Sequence, residues 1–308
     1  MNKQKILILG AGFGGVRAAL DLAHFGGSGA LVTLVDRHPY HIYTPDLYEV
    51  ASAYIKEGRD FSRAEFYRLA STAAVPLSQI FHKYKNVHLV QGEITAIDLA
   101  GRAVATLDGK KINYDRLIFA LGSEPAYYDI PHIKEYAVGF KTLNDALNVR
   151  DAVDEALSRL PKNKPVRVAV AGGGFAGVEL AAELVDFLRS ELKMHARPRD
   201  GFSVTVIEAG AELFGGVLGR AGRLAAERLK KLGVRIATNA KIADVKKEAV
   251  ILDSGEEIVY DVLVSTAGVC ASGIASKLGV PTAAKGCLVI DDHLRMVADV
   301  SKKCKSKT

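Results

Sequence analysis

The chain has 308 residues, 49% of them hydrophobic and 25% charged, which is ordinary for a globular protein and enough for two domains. The net charge of +6 is mild and basic residues are not interleaved with aromatic ones, so nucleic-acid binding is not expected. No uncharged apolar stretch reaches about 18 residues, so no membrane-spanning helix is predicted. The three scattered cysteines and the lack of a secretory signal before the first strand favour a cytoplasmic protein.

A predicted strand at residues 6–9 leads into a glycine-rich turn and then a helix. The turn reads Gly10-Ala11-Gly12-Phe13-Gly14-Gly15. Gly10 allows a tight reversal, Gly12 lets a pyrophosphate approach the backbone, and Gly15 lets the helix pack on the strand. The helix N-terminus then presents free N–H groups to the phosphates. Asp36 ends the next apolar run 21 residues past Gly15, close to the usual spacing for an acid that binds a ribose hydroxyl.

A second turn of the same design follows residues 166–171. It reads Gly172-Gly173-Gly174-Phe175-Ala176-Gly177. Glu208 takes the place of Asp36, 31 residues past Gly177, and residues 194–201 are interpreted as an inserted polar loop that lengthens the spacing. A Glu here accepts hydrogen bonds from both ribose hydroxyls and repels a 2′-phosphate, which favours NADH over NADPH.

Helical periodicity predicts helices over residues 144–160, 177–192 and 221–232. Residues 114–122 (Tyr-Asp-Arg-Leu-Ile-Phe-Ala-Leu-Gly) are similar to residues 260–268 (Tyr-Asp-Val-Leu-Val-Ser-Thr-Ala-Gly), and a hairpin signal with Asp and Gly precedes each. The sequence therefore predicts a duplicated module. The expected fold is α/β, with two Rossmann-like dinucleotide-binding domains and the second inserted in the first. The first takes residues 1–125 plus 264–301, and the second takes residues 126–263.

Glu179 stands two residues past Gly177, in the first turn of a predicted helix. It either complements the helix dipole or places a carboxylate where a nicotinamide meets an acceptor ring. No cysteine precedes Cys270, which excludes a dithiol relay in the first module. The eight histidines show no metal-ligand spacing, so no metal site is predicted.

Two segments resemble a known family. Residues 36–51 read Asp-Arg-His-Pro-Tyr-His-Ile-Tyr-Thr-Pro-Asp-Leu-Tyr-Glu-Val-Ala, and residues 177–184 read Gly-Val-Glu-Leu-Ala-Ala-Glu-Leu. Together with Thr266-Ala267-Gly268-Val269, they resemble type II NADH:quinone oxidoreductases, which are flavoproteins with two dinucleotide-binding domains. The resemblance extends to about residue 300.

The resemblance implies that FAD occupies the first module and NADH the second. Beyond the first turn, the implied FAD contacts are Asp36, Arg37, Thr44, Pro45, Ala120, Leu121 and Gly122, with Thr44 and Pro45 near the isoalloxazine. The implied NADH contacts are Gly172, Gly174, Phe175, Ala176, Gly177, Glu179, Glu208, Ala267 and Gly268. Hydride would pass from NADH to FAD, and electrons would then pass to ubiquinone or menaquinone. Glu179, the implied catalytic residue, would contact the nicotinamide and supply protons to the quinone.

The sequence departs from the family at its end. The family continues through a strand ending in Gly-Asp, whose Asp binds the FAD ribityl chain, and then through a quinone entrance and a membrane-binding region. Residues 302–308 do not fit that pattern and are interpreted as a disordered tail left by truncation or a frameshift. We therefore expect weaker FAD binding, impaired activity and loss of the peripheral contact that the intact family makes with the cytoplasmic face of the inner membrane. A homodimer is among the oligomeric states that the sequence leaves open.

Two alternatives remain open at this point. A reductase of ferredoxin or rubredoxin would share the architecture but pass single electrons to a protein, although Tyr43-Thr44-Pro45 and residues 177–180 favour the quinone branch. A flavin-free NAD(H)-binding module would use the second glycine turn alone and have no enzymatic activity.

Overall fold

The structure is a computed structural model that describes residues 3–25, 29–53, 71 and 73–297. Its strands are β1 (Gln4–Leu9), β2 (Ala30–Asp36), β3 (Tyr40–Ile42), β4 (Ala74–Pro76), β5 (Val87–Gln91), β6 (Ile94–Asp98), β7 (Ala103–Thr106), β8 (Lys111–Asn113), β9 (Arg116–Phe119), β10 (Ser123–Pro125), β11 (Val138–Gly139), β12 (Val166–Ala171), β13 (Phe202–Ile207), β14 (Arg235–Ala237), β15 (Ile242–Lys246), β16 (Ala249–Leu252), β17 (Glu257–Val259), β18 (Val262–Ser265) and β19 (Val269–Ala271). Its α-helices are α1 (Phe13–Phe25), α2 (Leu47–Ala51), α3 (Leu77–Phe81), α4 (Ile133–Tyr136), α5 (Leu143–Arg159), α6 (Phe175–Met194) and α7 (Arg220–Leu232). The tail predicted at residues 302–308 lies outside the described residues.

The chain divides into two compact units. The first comprises Met1–Tyr43, Ala74–Glu124 and Val269–Thr308, and the second comprises Thr44–Ala73 and Pro125–Gly268. The second unit thus interrupts the first along the sequence. Residues 44–53, which the sequence division assigned to the first domain, fall in the second unit.

The first unit is built on a parallel sheet with strand order β5-β2-β1-β9. Both faces of the sheet are buried, which explains the continuous Val, Ile and Leu runs of its strands. On one face, Ile6 and Ile8 pack with residues of α1 and α3. On the other, Leu7 and Leu9 pack with Val104 of an antiparallel sheet, β6-β7-β8. The first glycine turn leaves the C-terminal end of β1, the edge at which open α/β sheets bind their ligands.

The second unit repeats this plan with a parallel sheet of order β11-β18-β12-β13-β14. Ala169 and Ala171 of β12 pack with Val245 and Val250 of the antiparallel sheet β15-β16-β17. The two parallel sheets confirm the predicted α/β class with Rossmann-like domains. Within the described residues, no helix is both long and apolar enough to cross a bilayer.

The duplication extends to individual hydrogen bonds. In the first unit, the carboxylate of Asp115 accepts the N–H of Lys5 at 2.7 Å, and the N–H of Asp115 returns to the oxygen of Lys5 at 2.8 Å. In the second unit, Asp261 and Arg167 exchange the same two bonds, each at 2.8 Å. These reciprocal bonds attach the Tyr-Asp segment of each repeat, at Asp115 and Asp261, to the start of the central strands β1 and β12.

The predicted local elements are found close to their predicted bounds. The helices expected at residues 144–160, 177–192 and 221–232 are α5, α6 and α7. α5 begins with a capping box, in which Thr142 and Asp145 each bind the backbone N–H of the other. Gly109 and Gly255 turn the two hairpins with φ of 81° and 84°, a conformation that few residues other than glycine tolerate.

Residues 195–201 form a loop, as predicted, but this loop accounts for little of the longer spacing before Glu208. α6 runs for 20 residues and includes Met194, whereas α1 runs for 13, so most of the longer spacing before Glu208 lies in the helix rather than in a loop. The loop that follows is fixed by the buried Arg197, whose guanidinium donates to the main-chain oxygens of Leu157 and Lys164 at 3.0 Å each.

Candidate nucleotide-binding sites

Two glycines of the first turn are required by packing. Gly10 has φ of 96°, and a Cβ added there would lie 2.3 Å from the oxygen of Ala120. A Cβ at Gly15 would lie 1.8 Å from the oxygen of Gly10, so α1 can leave β1 this closely only without a side chain. At Gly12, by contrast, none of the described atoms lies within 4 Å of an added Cβ. The backbone at Gly12 is therefore open on the side where a pyrophosphate would approach.

Asp36 holds this turn in place through a bond that sequence spacing does not show. Its Oδ2 accepts the N–H of Ala11 at 2.6 Å, and its Oδ1 accepts the N–H of His38 at 2.8 Å. The buried ring of His41 binds the oxygen of Ala11 at 2.8 Å through Nδ1. Since each carboxylate oxygen has two lone pairs, Asp36 can hold the turn and still accept a ribose hydroxyl.

A cavity of about 470 Å³ lies beside this turn in the first unit. Several of the predicted FAD contacts line it: Gly10, Gly12, Asp36, Arg37, Ala120, Leu121 and Gly122. Sequence reasoning missed further lining residues: Gly92, Glu93, Ile94, Thr95, Glu124, Ser272, Gly273, Ile274 and Lys277. Glu124 shows why such residues could not be predicted. Its Oε1 accepts hydrogen bonds from Ser272 and Gly273, which lie about 148 residues further along the sequence. Such a contact has no local signal.

The other predicted FAD contacts do not line this cavity. Ala11 is buried, and Gly15 packs under the turn. Phe13 is half exposed, and its ring lies 4.9 Å from that of His41 and 5.6 Å from that of Tyr43. Gly14 is exposed in the first turn of α1. Thr44 and Pro45 form a 3₁₀ helix and belong to the second unit.

The second turn repeats the packing of the first. Gly172 has φ of 119°, and an added Cβ would lie 2.8 Å from the oxygen of Thr266 and 2.9 Å from the Cα of Ala267. A Cβ at Gly177 would lie 1.9 Å from the oxygen of Gly172. At Gly174, an added Cβ would again meet no described atom within 4 Å. The second turn is thus open at the position that matches Gly12.

Glu208 holds the second turn in the way that Asp36 holds the first. Its Oε2 accepts the N–H of Gly173 and its Oε1 accepts the N–H of Gly210, both at 2.7 Å. In each unit, the second residue of the glycine turn therefore donates its N–H to the acid that ends the next strand. The acid fixes the turn and remains able to bind a ribose.

A short segment that the sequence analysis did not assign covers the second turn. Phe214 donates its N–H to the oxygen of Gly173 at 2.8 Å, and its ring lies 5.0 Å from that of Phe175. Phe175 and Ala176 are themselves exposed at the start of α6.

Gly268, after β18, has φ of 126°, and a Cβ there would lie 2.5 Å from the hydroxyl of Tyr128. The chain after β18 is therefore tightly packed where Ala267 approaches the second turn.

Glu179 lies at the N-terminal end of α6 in a partly desolvated setting. Although the side chain is exposed, desolvation raises its pKa above the ordinary value. Desolvation also raises the pKa of Glu183, one turn further along α6, with smaller contributions from Asp186 and Glu49. The pKa of Tyr48 is raised first by desolvation and then by nearby carboxylates that include Glu179. These groups share one environment that favours their neutral forms.

Residues 4–301 match the pyridine nucleotide-disulphide oxidoreductase family. The chain belongs to this family. It is 30% identical over 291 residues to the type II NADH:quinone oxidoreductase Ndh of Mycobacterium tuberculosis, covering 90% of this chain and 59% of that protein. It is 28% identical to the demethylphylloquinone reductase NdbB of Synechocystis, over 96% of this chain and 69% of that one. The resemblance found in the sequence is thus confirmed.

Among solved structures, NDH2 from Plasmodium falciparum in complex with NADH matches with a TM-score of 0.81 and 25% identity. The match covers 96% of this chain and 62% of that chain. The chain therefore spans about three-fifths of the length of that structure and of the mycobacterial relative.

The family's name refers to disulphide chemistry, which this chain does not support beside the first turn. Residues 1–269 contain no cysteine. Cys270, the first in the sequence, directs its sulfur towards the main-chain oxygen of Glu124 at 3.7 Å. Residues 1–269 therefore supply no thiolate pair beside the first turn.

Proposed function

We propose that the chain is the nucleotide-binding part of an NADH dehydrogenase that passes electrons to a quinone, with FAD in the first unit and NADH in the second. The observation that carries this proposal is the doubled turn. Gly12 and Gly174 are each open on one side, and each turn is bonded to the acid that ends the next strand. Two such turns in one chain provide for two dinucleotides.

The first unit fits FAD by the shape of its turn and cavity. The volume of about 470 Å³ lies in the range of small-molecule sites, and the lining includes Asp36, Arg37, Gly12, Ser272 and Gly273. Asp36 would accept a ribose hydroxyl and Gly12 would admit the pyrophosphate. The N-terminus of α1 would place a positive dipole end at the phosphates.

The second unit fits NADH in the same way. Glu208 would bind both hydroxyls of a ribose, and its charge would repel the extra phosphate of NADPH. Gly174 would admit the pyrophosphate at the start of α6. Phe214 and Phe175, which pack on each other beside the turn, would limit the access of water to that site.

When bound, FAD would supply the redox chemistry, namely two-electron exchange between NADH and a quinone. The contribution of the chain is to bind, to orient and to hold a proton. Glu179 serves the last purpose: its raised pKa keeps the carboxyl protonated to a higher pH than an ordinary glutamate. We assign it to nicotinamide contact and to proton supply for the quinone.

A quinone is favoured over a protein acceptor by the names of the relatives. Type II NADH:quinone oxidoreductases and a demethylphylloquinone reductase are among the most similar curated proteins. Because quinones reside in membranes, we further propose that the protein acts at a membrane surface.

The first experiment is an absorption spectrum of the purified chain. A flavin spectrum that NADH bleaches anaerobically supports the proposal, whereas a colourless protein that still binds NADH indicates the flavin-free module instead. The second step compares NADH-driven reduction of ubiquinone and menaquinone analogues with that of a small iron–sulfur protein. Faster reduction of the iron–sulfur protein would contradict the quinone assignment.

A further inference from the structure

Three metal-ligating side chains meet in the second unit at the far end of α6 from the glycine turn. Asp154 projects from α5, Glu191 from the last turn of α6, and His195 from the residue that ends that helix. One ligand atom from each lies within 4.8 Å of the other two. The nucleotide chemistry proposed above uses none of them.

The spacing of two of these residues follows from helix geometry. Glu191 and His195 are four residues apart, and the N–H of His195 still bonds to the oxygen of Glu191 at 2.9 Å, so both side chains leave one helical face. The same i, i+4 spacing presents paired ligands in zinc enzymes with a His-Glu-x-x-His helix. Asp154 lies 37 residues before Glu191, so only the packing of α5 on α6 completes the set.

The distances suit a small tetrahedral ion. Nε2 of His195 lies 3.1 Å from Oδ1 of Asp154 and 3.7 Å from Oε2 of Glu191. Zinc bonds to nitrogen and oxygen of roughly 2.0–2.2 Å require ligand atoms about 3.3–3.6 Å apart in a tetrahedron. The two distances from His195 bracket that range, and the carboxylate oxygens of Asp154 and Glu191 lie within 4.8 Å of each other, so side-chain rotations would have to bring all three atoms to a tetrahedral spacing.

The burial of the three side chains differs in a way that suits a bound ion. The side chain of Glu191 is only 9% exposed, and its neighbours Leu188 and Leu192 are buried. A buried carboxylate gains most from a cation held directly against it. Asp154 is 49% exposed, which leaves a path for the ion and room for a water as fourth ligand.

The backbone around the cluster is held independently of any ion. Two residues past His195, the buried guanidinium of Arg197 binds the main-chain oxygens of Leu157, Leu160, Pro161 and Lys164. These bonds tie the chain that follows α6 to the end of α5. The ligands are therefore pre-positioned, which lowers the entropy lost when an ion binds.

We propose that Asp154, Glu191 and His195 form a zinc site that joins the end of α6 to α5. One imidazole and two carboxylates are ligands that Zn²⁺ accepts readily, with water completing the tetrahedron. Spacing along the chain predicts no metal site here, because the third ligand comes from another helix. The role is structural, because the site lies on helices that pack in the body of the unit.

The test uses the full chain, stripped of metal by a chelator and freed of any purification tag. Co²⁺ is added as a spectroscopic substitute, and tetrahedral coordination is expected to give intense visible d–d absorption that Zn²⁺ then abolishes. Zn²⁺ is also expected to raise the Tm, because an ion that binds only the folded state stabilises it. Asp154→Asn and His195→Ala should each weaken binding by about tenfold or more.

His132→Ala is the matched control. His132 lies 2.8 Å from Asp244 in a similar histidine–carboxylate pair outside the cluster, and its loss should leave Co²⁺ absorption unchanged. Asp154→Asn decides the question if His195→Ala fails to fold, because Asp154 is half exposed. If the wild-type chain shows no tetrahedral Co²⁺ spectrum, or if Asp154→Asn retains wild-type binding, the three residues form a charge network only and the proposal is wrong.

Discussion

The carboxylate of Asp36 accepts the backbone N–H of Ala11 at 2.6 Å, so the acid that is expected to bind a ribose also holds the glycine turn. Binding and local folding are therefore coupled in one side chain. The counterpart pair, Glu208 and Gly173, has the same bond at 2.7 Å. Loss of either acid should affect both the turn and its ligand.

Asp36→Ala should lower FAD retention and also lower the free energy of unfolding. The substitution removes the acceptor of two backbone N–H groups, and leaving partly buried donors unsatisfied costs about 1–3 kcal/mol. Flavin content after gel filtration and urea unfolding measure the two effects. Asp115→Ala is the control: it removes the bond to Lys5 outside the cavity, so it should reduce stability without lowering the flavin content. Equal flavin loss in both variants would contradict the role of Asp36.

The two open glycines allow binding to be separated from folding. In Gly12→Ala and Gly174→Ala, the new methyl meets no described atom within 4 Å, so stability should change by less than about 1 kcal/mol. The first should weaken FAD binding and the second should raise the Kd for NADH, each by roughly tenfold or more, because the methyl occupies the path of the pyrophosphate. Fluorescence titration of each variant with both nucleotides measures this.

Gly15→Ala and Gly177→Ala are the packing counterparts. Their added Cβ atoms would lie 1.8 and 1.9 Å from main-chain oxygens, so both should unfold at markedly lower urea concentration. Normal stability in these two variants would show that the helices can shift away from the turns. Unchanged nucleotide binding in Gly12→Ala and Gly174→Ala would place the pyrophosphates elsewhere.

The architecture could be predicted from the sequence because its signals are local. Gly10 and Gly15 are fixed by backbone contacts that exclude a Cβ, and the hairpin glycines Gly109 and Gly255 by positive φ. Each constraint acts on a few consecutive residues and leaves a residue type that can be recognised. The repeat of the whole pattern then identifies the duplicated α/β plan.

The rest of each site could not be predicted because it depends on residues far apart in the sequence. Glu124 reaches Ser272, and Asp154 reaches His195, only after the sheets and helices have packed. Phe214 covers the second turn through a backbone bond to Gly173, which no side-chain pattern encodes. Spacing along the chain was also misleading before Glu208, since a longer helix and an inserted loop give the same residue count.

Glu179→Gln should change the pH dependence of stability. Because the folded-state pKa of Glu179 is raised above its ordinary value of 4.5, the folded chain binds this proton more tightly than the unfolded chain. The contribution of this proton to the free energy of unfolding is present below pH 4.5 and is lost as the pH rises through the folded-state pKa of Glu179. Urea unfolding of wild type from below 4.5 to neutral pH should show the loss, and the glutamine variant should lack it.

The same variant tests the assigned role of Glu179 in catalysis. If the carboxyl supplies a proton, Glu179→Gln should lower quinone turnover by about 100-fold, with little change in flavin content. Glu183→Gln is the matched comparison, because desolvation raises the pKa of Glu183 as well. It should remove a similar part of the pH dependence and leave turnover near that of wild type. Equal losses of turnover would show that the acidic environment matters, rather than Glu179 itself.

Asp261→Ala should destabilise the second unit more than Asp115→Ala destabilises the first. Asp261 is 6% exposed and binds the Arg167 guanidinium at 2.8 and 2.9 Å as well as its N–H, whereas Asp115 binds the N–H of Lys5. Removing one partner of a largely buried ion pair costs roughly 3 kcal/mol, at the lower end of the usual range because Arg167 stays partly exposed. Urea unfolding at neutral pH compares the two variants.

Acid should reduce the difference in the free energy of unfolding between wild type and Asp261→Ala. Burial alone would raise the pKa of Asp261, but the hydrogen bonds and charge of Arg167 outweigh it and hold the pKa below the ordinary value of 3.8. The contribution of the Asp261–Arg167 pair to the free energy of unfolding is therefore complete above pH 3.8. It is lost as the pH falls through the lower folded-state pKa of Asp261. A difference that stays constant through that acidic range would mean that Asp261 stabilises the unit by packing rather than by its charge.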